Sequence, residues 1–202
     1  MENTTKIDSE LSFVVQLIED NELETAFGEA YSSVLVNPAV TWAKFILTDD
    51  KPNGNKQRIP IEEFPNLIKS GLFMPVKMAL GKIKDGHEDA SPLGVITHLK
   101  QDGNKIVAMA ALWLKERTKD IDYIKGLIGK GTPVNVSWEI LYGDYSMLDG
   151  VMELKDTILK AATVVGMPAY AGRTPILAVA AKKWSPAYIA ALPDTCFLVV
   201  ER

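Results

Sequence analysis

Ser137 stands in the run Thr132-Pro133-Val134-Asn135-Val136-Ser137-Trp138-Glu139-Ile140, with an amide two residues before it and a carboxylate two residues after. A serine hydroxyl becomes a useful nucleophile only when a nearby base takes its proton, and histidine is the side chain suited to that near neutral pH. The chain has two histidines, His87 and His98. His87 falls in the polar stretch Gly81–Pro92, where a side chain can reach out from a loop. His98 lies in a hairpin pattern and reads as a residue of a solvated face. Spacing alone does not bring His87 to Ser137, because only the fold could make that contact.

The element that must hold Ser137 is legible. Val134, Val136, Trp138 and Ile140 alternate with Asn135, Ser137 and Glu139, the period-two pattern of a half-buried strand. The three polar residues then share one face and the apolar residues the other. The same pattern also describes an ordinary antiparallel strand with one wet face.

Around it, Leu11, Val14, Val15 and Ile18 mark an amphipathic helix over about 7–30, so residues 1–32 read as an N-terminal helical segment and 33–202 as the main domain. Strands are expected at Ser33–Val36, Val40–Leu47 and Phe73–Leu80. Leu93–Lys100 and Lys105–Leu112 flank the turn formers Gln101–Asn104 and suggest a hairpin. Pro60–Ile68 reads as a short helix closing near Gly71, and Ile121, Ile124, Leu127 and Ile128 mark one face of another. Tyr142–Gly150 reads as a second turn-rich stretch after the loop Asp49–Asn55. Thr157–Val165 and Pro175–Ala180 are further strands, Pro186–Leu192 a closing helix, and Phe197–Val200 an apolar end suggestive of a processed or truncated product. Strands mostly follow one another, so the expected class is mainly β with peripheral helices (α+β), an antiparallel sheet or barrel.

Composition narrows the partners. The chain has 202 residues and a formal net charge of −4, which offers no broad basic footprint for nucleic acid. One cysteine, Cys196, excludes an internal disulfide and, with two histidines, argues against a Cys/His zinc site. No apolar run has the length of a membrane span, and the N-terminus lacks a signal-peptide pattern, so a soluble intracellular protein is expected, with no metal and no cofactor.

Taken in order, Gly86-His87-Glu88, Pro92-Leu93-Gly94-Val95-Ile96, Val136-Ser137-Trp138-Glu139 and Thr163-Val164-Val165 with Pro168-Ala169-Tyr170 resemble the prohead (capsid maturation) proteases of tailed bacteriophages. These are similar in fold to the herpesvirus assemblin proteases. The resemblance runs from about Trp42 to Ala181. It implies an antiparallel β-barrel ringed by helices, with Ser137 as nucleophile and His87 as general base. The family's third member, a histidine or an acid, falls on or near the strand Thr157–Val165, where this chain has Ala161, Ala162 and Thr163. Asp156, at the start of that segment, is the first candidate to orient His87, and Glu139, on the face of Ser137, is the second. Gly166, Met167 and Arg173 match the turn that supports the oxyanion in the relatives. The resemblance further implies scaffold and major capsid proteins as substrates, a site of action inside the assembling prohead in the host cytoplasm, and a homodimer or scaffold-associated form.

Three functions fit these residues. The first is a serine endopeptidase of capsid maturation. The second is a structural or scaffold-binding virion module that kept the fold without the chemistry, favoured by the missing acid on Thr157–Val165. The third is a small-molecule hydrolase, which would need a deep closed pocket.

Overall fold

The computed structural model describes residues 39–166 and 173–179. The amphipathic segment over 7–30, the strand at Ser33–Val36, Met167, the closing helix at Pro186–Leu192 and the run Phe197–Val200 lie outside the described residues, as does the boundary between 32 and 33.

The described chain is mainly β. Its strands are β1 (Thr41–Asp49), β2 (Gln57–Arg58), β3 (Pro75–Ala79), β4 (Ala90–Asp102), β5 (Lys105–Leu112), β6 (Asn135–Leu141), β7 (Asp144–Leu148), β8 (Val151–Lys155), β9 (Ile158–Val165) and β10 (Ile176–Val179). Two helices, α1 (Phe64–Gly71) and α2 (Thr118–Gly129), and a 3-10 turn at Ile61–Glu63 complete it. A curled seven-stranded sheet runs β10-β1-β5-β4-β3-β9-β6, and a three-stranded sheet runs β2-β8-β7. The expected α+β class with dominant β-structure is therefore observed.

Two features depart from a purely antiparallel sheet. β3 and β9 pair in parallel, with Val76 opposite Ala162 and Lys77 opposite Thr163, and β2 pairs with β8 in parallel. β9 reaches β3 only after the excursion through β4–β8, and a strand that returns from so far along the chain can run either way. The other pairs of the large sheet are antiparallel. Its two edges also meet: Val136 N–H donates to Thr174 O at 2.8 Å and Ile176 N–H to Val134 O at 2.8 Å, with Asn135 bridged to Pro175.

The hydrophobic core fills the inside of the curl. Phe45, Leu47, Met78, Leu93, Ile96, Ile106, Leu112, Val136 and Val164 come from the strands, Phe64 and Leu67 from α1, and Ile121 and Ile124 from α2. β5 is buried on both faces, as its unbroken apolar run requires. The hairpin between β4 and β5 turns on Gly103 and Asn104, with Gly103 at φ 58, a left-handed conformation that suits glycine.

The stretch Tyr142–Gly150 is more than a turn. Asp149 (φ 49) and Gly150 (φ 77) make the tight turn of a β7–β8 hairpin, the Asp-Gly pair being a preferred hairpin turn. β7 is largely exposed, so it carries no burial pattern for a sequence reading to find.

Candidate active site

β6 delivers Ser137 and Glu139 to its outer face, because Val134, Val136, Trp138 and Ile140 pack inward on the core. Across the antiparallel β6–β9 pair, Ser137 sits opposite Thr163. β9 in turn carries Lys77 of β3 beside Thr163. Lys77, Thr163 and Ser137 therefore form one row over three strands.

His87 comes from the loop between β3 and β4, which is tied down at several points. Gly81 N–H donates to Asp120 Oδ1 at 2.6 Å where the loop leaves β3. Lys84 bridges to Val165 at the end of β9, and Gly166 N–H donates to Lys84 O at 2.9 Å. Lys84 Nζ pairs with Asp89 at 2.5 Å across the loop. These ties bring the imidazole over β6.

His87 Nε2 stands 3.0 Å from Ser137 Oγ, and Nδ1 stands 3.0 Å from Glu139 Oε1. With its proton on Nδ1, the ring donates to the carboxylate and Nε2 accepts from the serine hydroxyl, the tautomer a general base needs. Glu139 takes two further bonds, from Thr163 Oγ1 to Oε1 at 2.6 Å and from Lys77 Nζ to Oε2 at 2.9 Å. Hydroxyl, imidazole and carboxylate in series are the parts of a serine hydrolase triad.

Burial resists ionisation of Glu139, but the hydrogen bonds from Thr163, Lys77 and His87, with the charge of Lys77, outweigh it and bring its pKa down to about 2. A carboxyl lowered in the folded state adds stability above its unfolded value, near 4.5, and that stability is lost as pH falls towards 2. The urea midpoints of the native chain and Glu139→Gln should thus differ by a constant amount above about pH 5.5 and converge as pH drops through that window. A gap that does not narrow on acidification would remove this account of Glu139.

Asp156, the first candidate for the third role, is elsewhere. It is exposed in the β8–β9 turn at φ 52, beside Gly143, and Glu139 occupies the His87 nitrogen it would have served. An aspartate tolerates that left-handed conformation, and the following Thr157 is anchored through its N–H and hydroxyl to Glu63. Its work is in the turn.

The oxyanion candidates are corrected in the same way. Gly166 spends its N–H on Lys84 O, tying the histidine loop to β9. Arg173 reaches both oxygens of the buried Asp49 at 2.7 and 2.8 Å and Pro52 O at 2.7 Å, which fastens the segment before β10 to β1. Met167 lies outside the described residues. His98 is half-buried on β4, opposite Met109 and apart from these groups.

The sequence pattern gives Lys77 no place at the site, since it shows only as a polar residue in an apolar strand, and it gives Thr163 only as part of the Thr163-Val164-Val165 motif, with no contact to an acid. Asn135, 4% exposed, shares the outer face of β6 with Ser137, and its Oδ1 has no hydrogen-bond partner. A cleft of about 410 Å³ lies away from these residues, between Asp50, Arg58, Asn104, Leu148 and Glu153. Among the described residues no group of three or more His, Cys, Asp or Glu side chains could hold a metal ion, and no helix is long and apolar enough to cross a membrane.

No protein-family model matches the chain, and no curated protein sequence matches it. The fold and the site geometry thus stand on their own residues.

Proposed function

We propose that the chain is a serine endopeptidase that cleaves scaffold and major capsid proteins inside the assembling prohead of a tailed phage. The observation that carries the chemistry is the series Ser137–His87–Glu139, joined by two contacts of 3.0 Å. Ser137 Oγ attacks the scissile carbonyl carbon while His87 takes its proton. His87 then hands that proton to the leaving amine, and water resolves the acyl-enzyme by the same route. Glu139 keeps the imidazole in the required tautomer and balances its charge while it is protonated.

One further point supports a peptide substrate. His87 is about a third exposed on the outside of the sheet, in keeping with attack on a chain lying across the surface. The phage context rests on the ordered motifs from Gly86-His87 to Pro168-Ala169, and with it go the host cytoplasm, the prohead interior and a dimeric or scaffold-bound form. The inactive-module reading drew on a missing acid, and Glu139 fills that place.

The deciding experiment co-expresses the chain with candidate scaffold and major capsid proteins, with and without Ser137→Ala. Processing by the native chain and none by the variant is the expected result. Processing that survives in Ser137→Ala, or none with either chain, overturns the proposal.

A further inference from the structure

We propose that Lys77 and Thr163 are positioning residues that clamp the Glu139 carboxylate against His87. The inference deepens the triad reading and rests on it.

A glutamate side chain has several rotatable bonds, and on the outer face of a strand it can swing into water. Glu139 is held by both oxygens instead. Oε1 is shared between His87 Nδ1 at 3.0 Å and Thr163 Oγ1 at 2.6 Å, and Oε2 meets Lys77 Nζ at 2.9 Å. The Thr163 anchor is firm: the residue is 1% exposed and β-branched, so few rotamers are open to it. It also stands directly opposite Ser137, so the hydroxyl that fixes the acid is set by the nucleophile's own cross-strand partner. Lys77 enters by the parallel β3–β9 register, one strand further on.

The neighbouring charges have other contacts. Lys84 pairs with Asp89, Asp85 packs against Gly166, and the Glu88 carboxyl lies beside Gly86. On β9 the clamp contributes a neutral hydroxyl, and on β3 a cation, so Lys77 is the charge that offsets Glu139 from the strands. An ordinary exposed ion pair would contribute little. A pair that aims a carboxylate at a catalytic base acts on rate, where misplacement by about 1 Å costs on the order of 10²-fold.

The experiment compares Lys77→Met and Thr163→Val with the conservative changes Lys77→Arg and Thr163→Ser. The expected result is a fall in kcat of about 10²-fold for each of the first pair with KM little changed, and recovery of most of the loss in the second pair. In parallel, carbon-13 NMR follows the Glu139 carboxyl, assigned by its disappearance in Glu139→Gln. Lys77→Met should raise the pH at which this carboxyl protonates, and Lys77→Arg should restore it. Unchanged kcat in both Lys77→Met and Thr163→Val, or a change confined to KM, overturns the clamp. So does a carboxyl titration indifferent to Lys77. Should Thr163→Val fail to fold, Lys77, whose side chain is 26% exposed, decides alone. The titration needs no substrate, so it reads the clamp even if Ser137→Ala shows that the peptidase reading fails.

Discussion

Glu139→Gln is expected to lower turnover by roughly 10⁴ near neutral pH while leaving the fold intact, the scale of loss seen when a triad carboxylate becomes an amide. The amide can present its NH₂ group to His87 Nδ1 and then stabilises the tautomer whose Nε2 carries the proton, so the ring cannot accept from Ser137. It also removes the negative charge that balances the imidazolium as the serine proton is transferred. Asp156→Asn should be nearly silent, because Asp156 is exposed in a turn and an asparagine adopts the same left-handed backbone. Steady-state cleavage by the two variants, side by side, checks the assignment. A large loss in Asp156→Asn with little change in Glu139→Gln would return the third role to Asp156.

The second large effect lies in the frame behind the site. Arg117 is 9% exposed and donates to Asp120 Oδ2 at 2.6 Å, to Ser91 Oγ at 2.9 Å, to Pro92 O at 2.5 Å and to Met78 O at 3.2 Å. One guanidinium thereby joins β3, β4 and the start of α2. Asp120 uses its other oxygen to hold Gly81, where the histidine loop begins. Arg117→Met strands a buried carboxylate and leaves several backbone acceptors unpaired, and removal of one partner from such a pair costs about 3–5 kcal/mol. Urea unfolding at neutral pH measures it. A loss below about 1 kcal/mol would mean that the hub is an ordinary surface pair.

Some of this was legible in the residues. The alternation in Val134–Ile140 was strong enough to place Ser137 and Glu139 on one face of β6, and Asp102-Gly103 was enough for the β4–β5 hairpin. The helix at Ile121–Ile128 followed from its apolar spacing. Of the two acids the sequence offers as partners of His87, Glu139, placed second, is the one that meets its ring, and Asp156, placed first on the resemblance at Thr157–Val165, is not. Period two already put Glu139 beside Ser137, but whether His87 would reach across both depended on ties such as Gly166 to Lys84, which no local pattern encodes. β7 was missed for the opposite reason: an exposed strand has no buried face to impose a rhythm. Lys77 is paired with Thr163 only through a parallel register fixed by packing across the whole sheet, so its place was beyond a reading of neighbours in sequence.

The placement of Ser137 and Glu139 two residues apart on one strand has a mechanical consequence. Backbone geometry sets their separation at about 6.6–6.8 Å, and side chains on the same pleat keep the same direction however the rest of the molecule shifts. The Cα atoms of Ser137 and Glu139 thus keep a fixed spacing, and both contacts of His87 depend on how its loop sits over β6. A displacement of that loop lengthens both 3.0 Å links together.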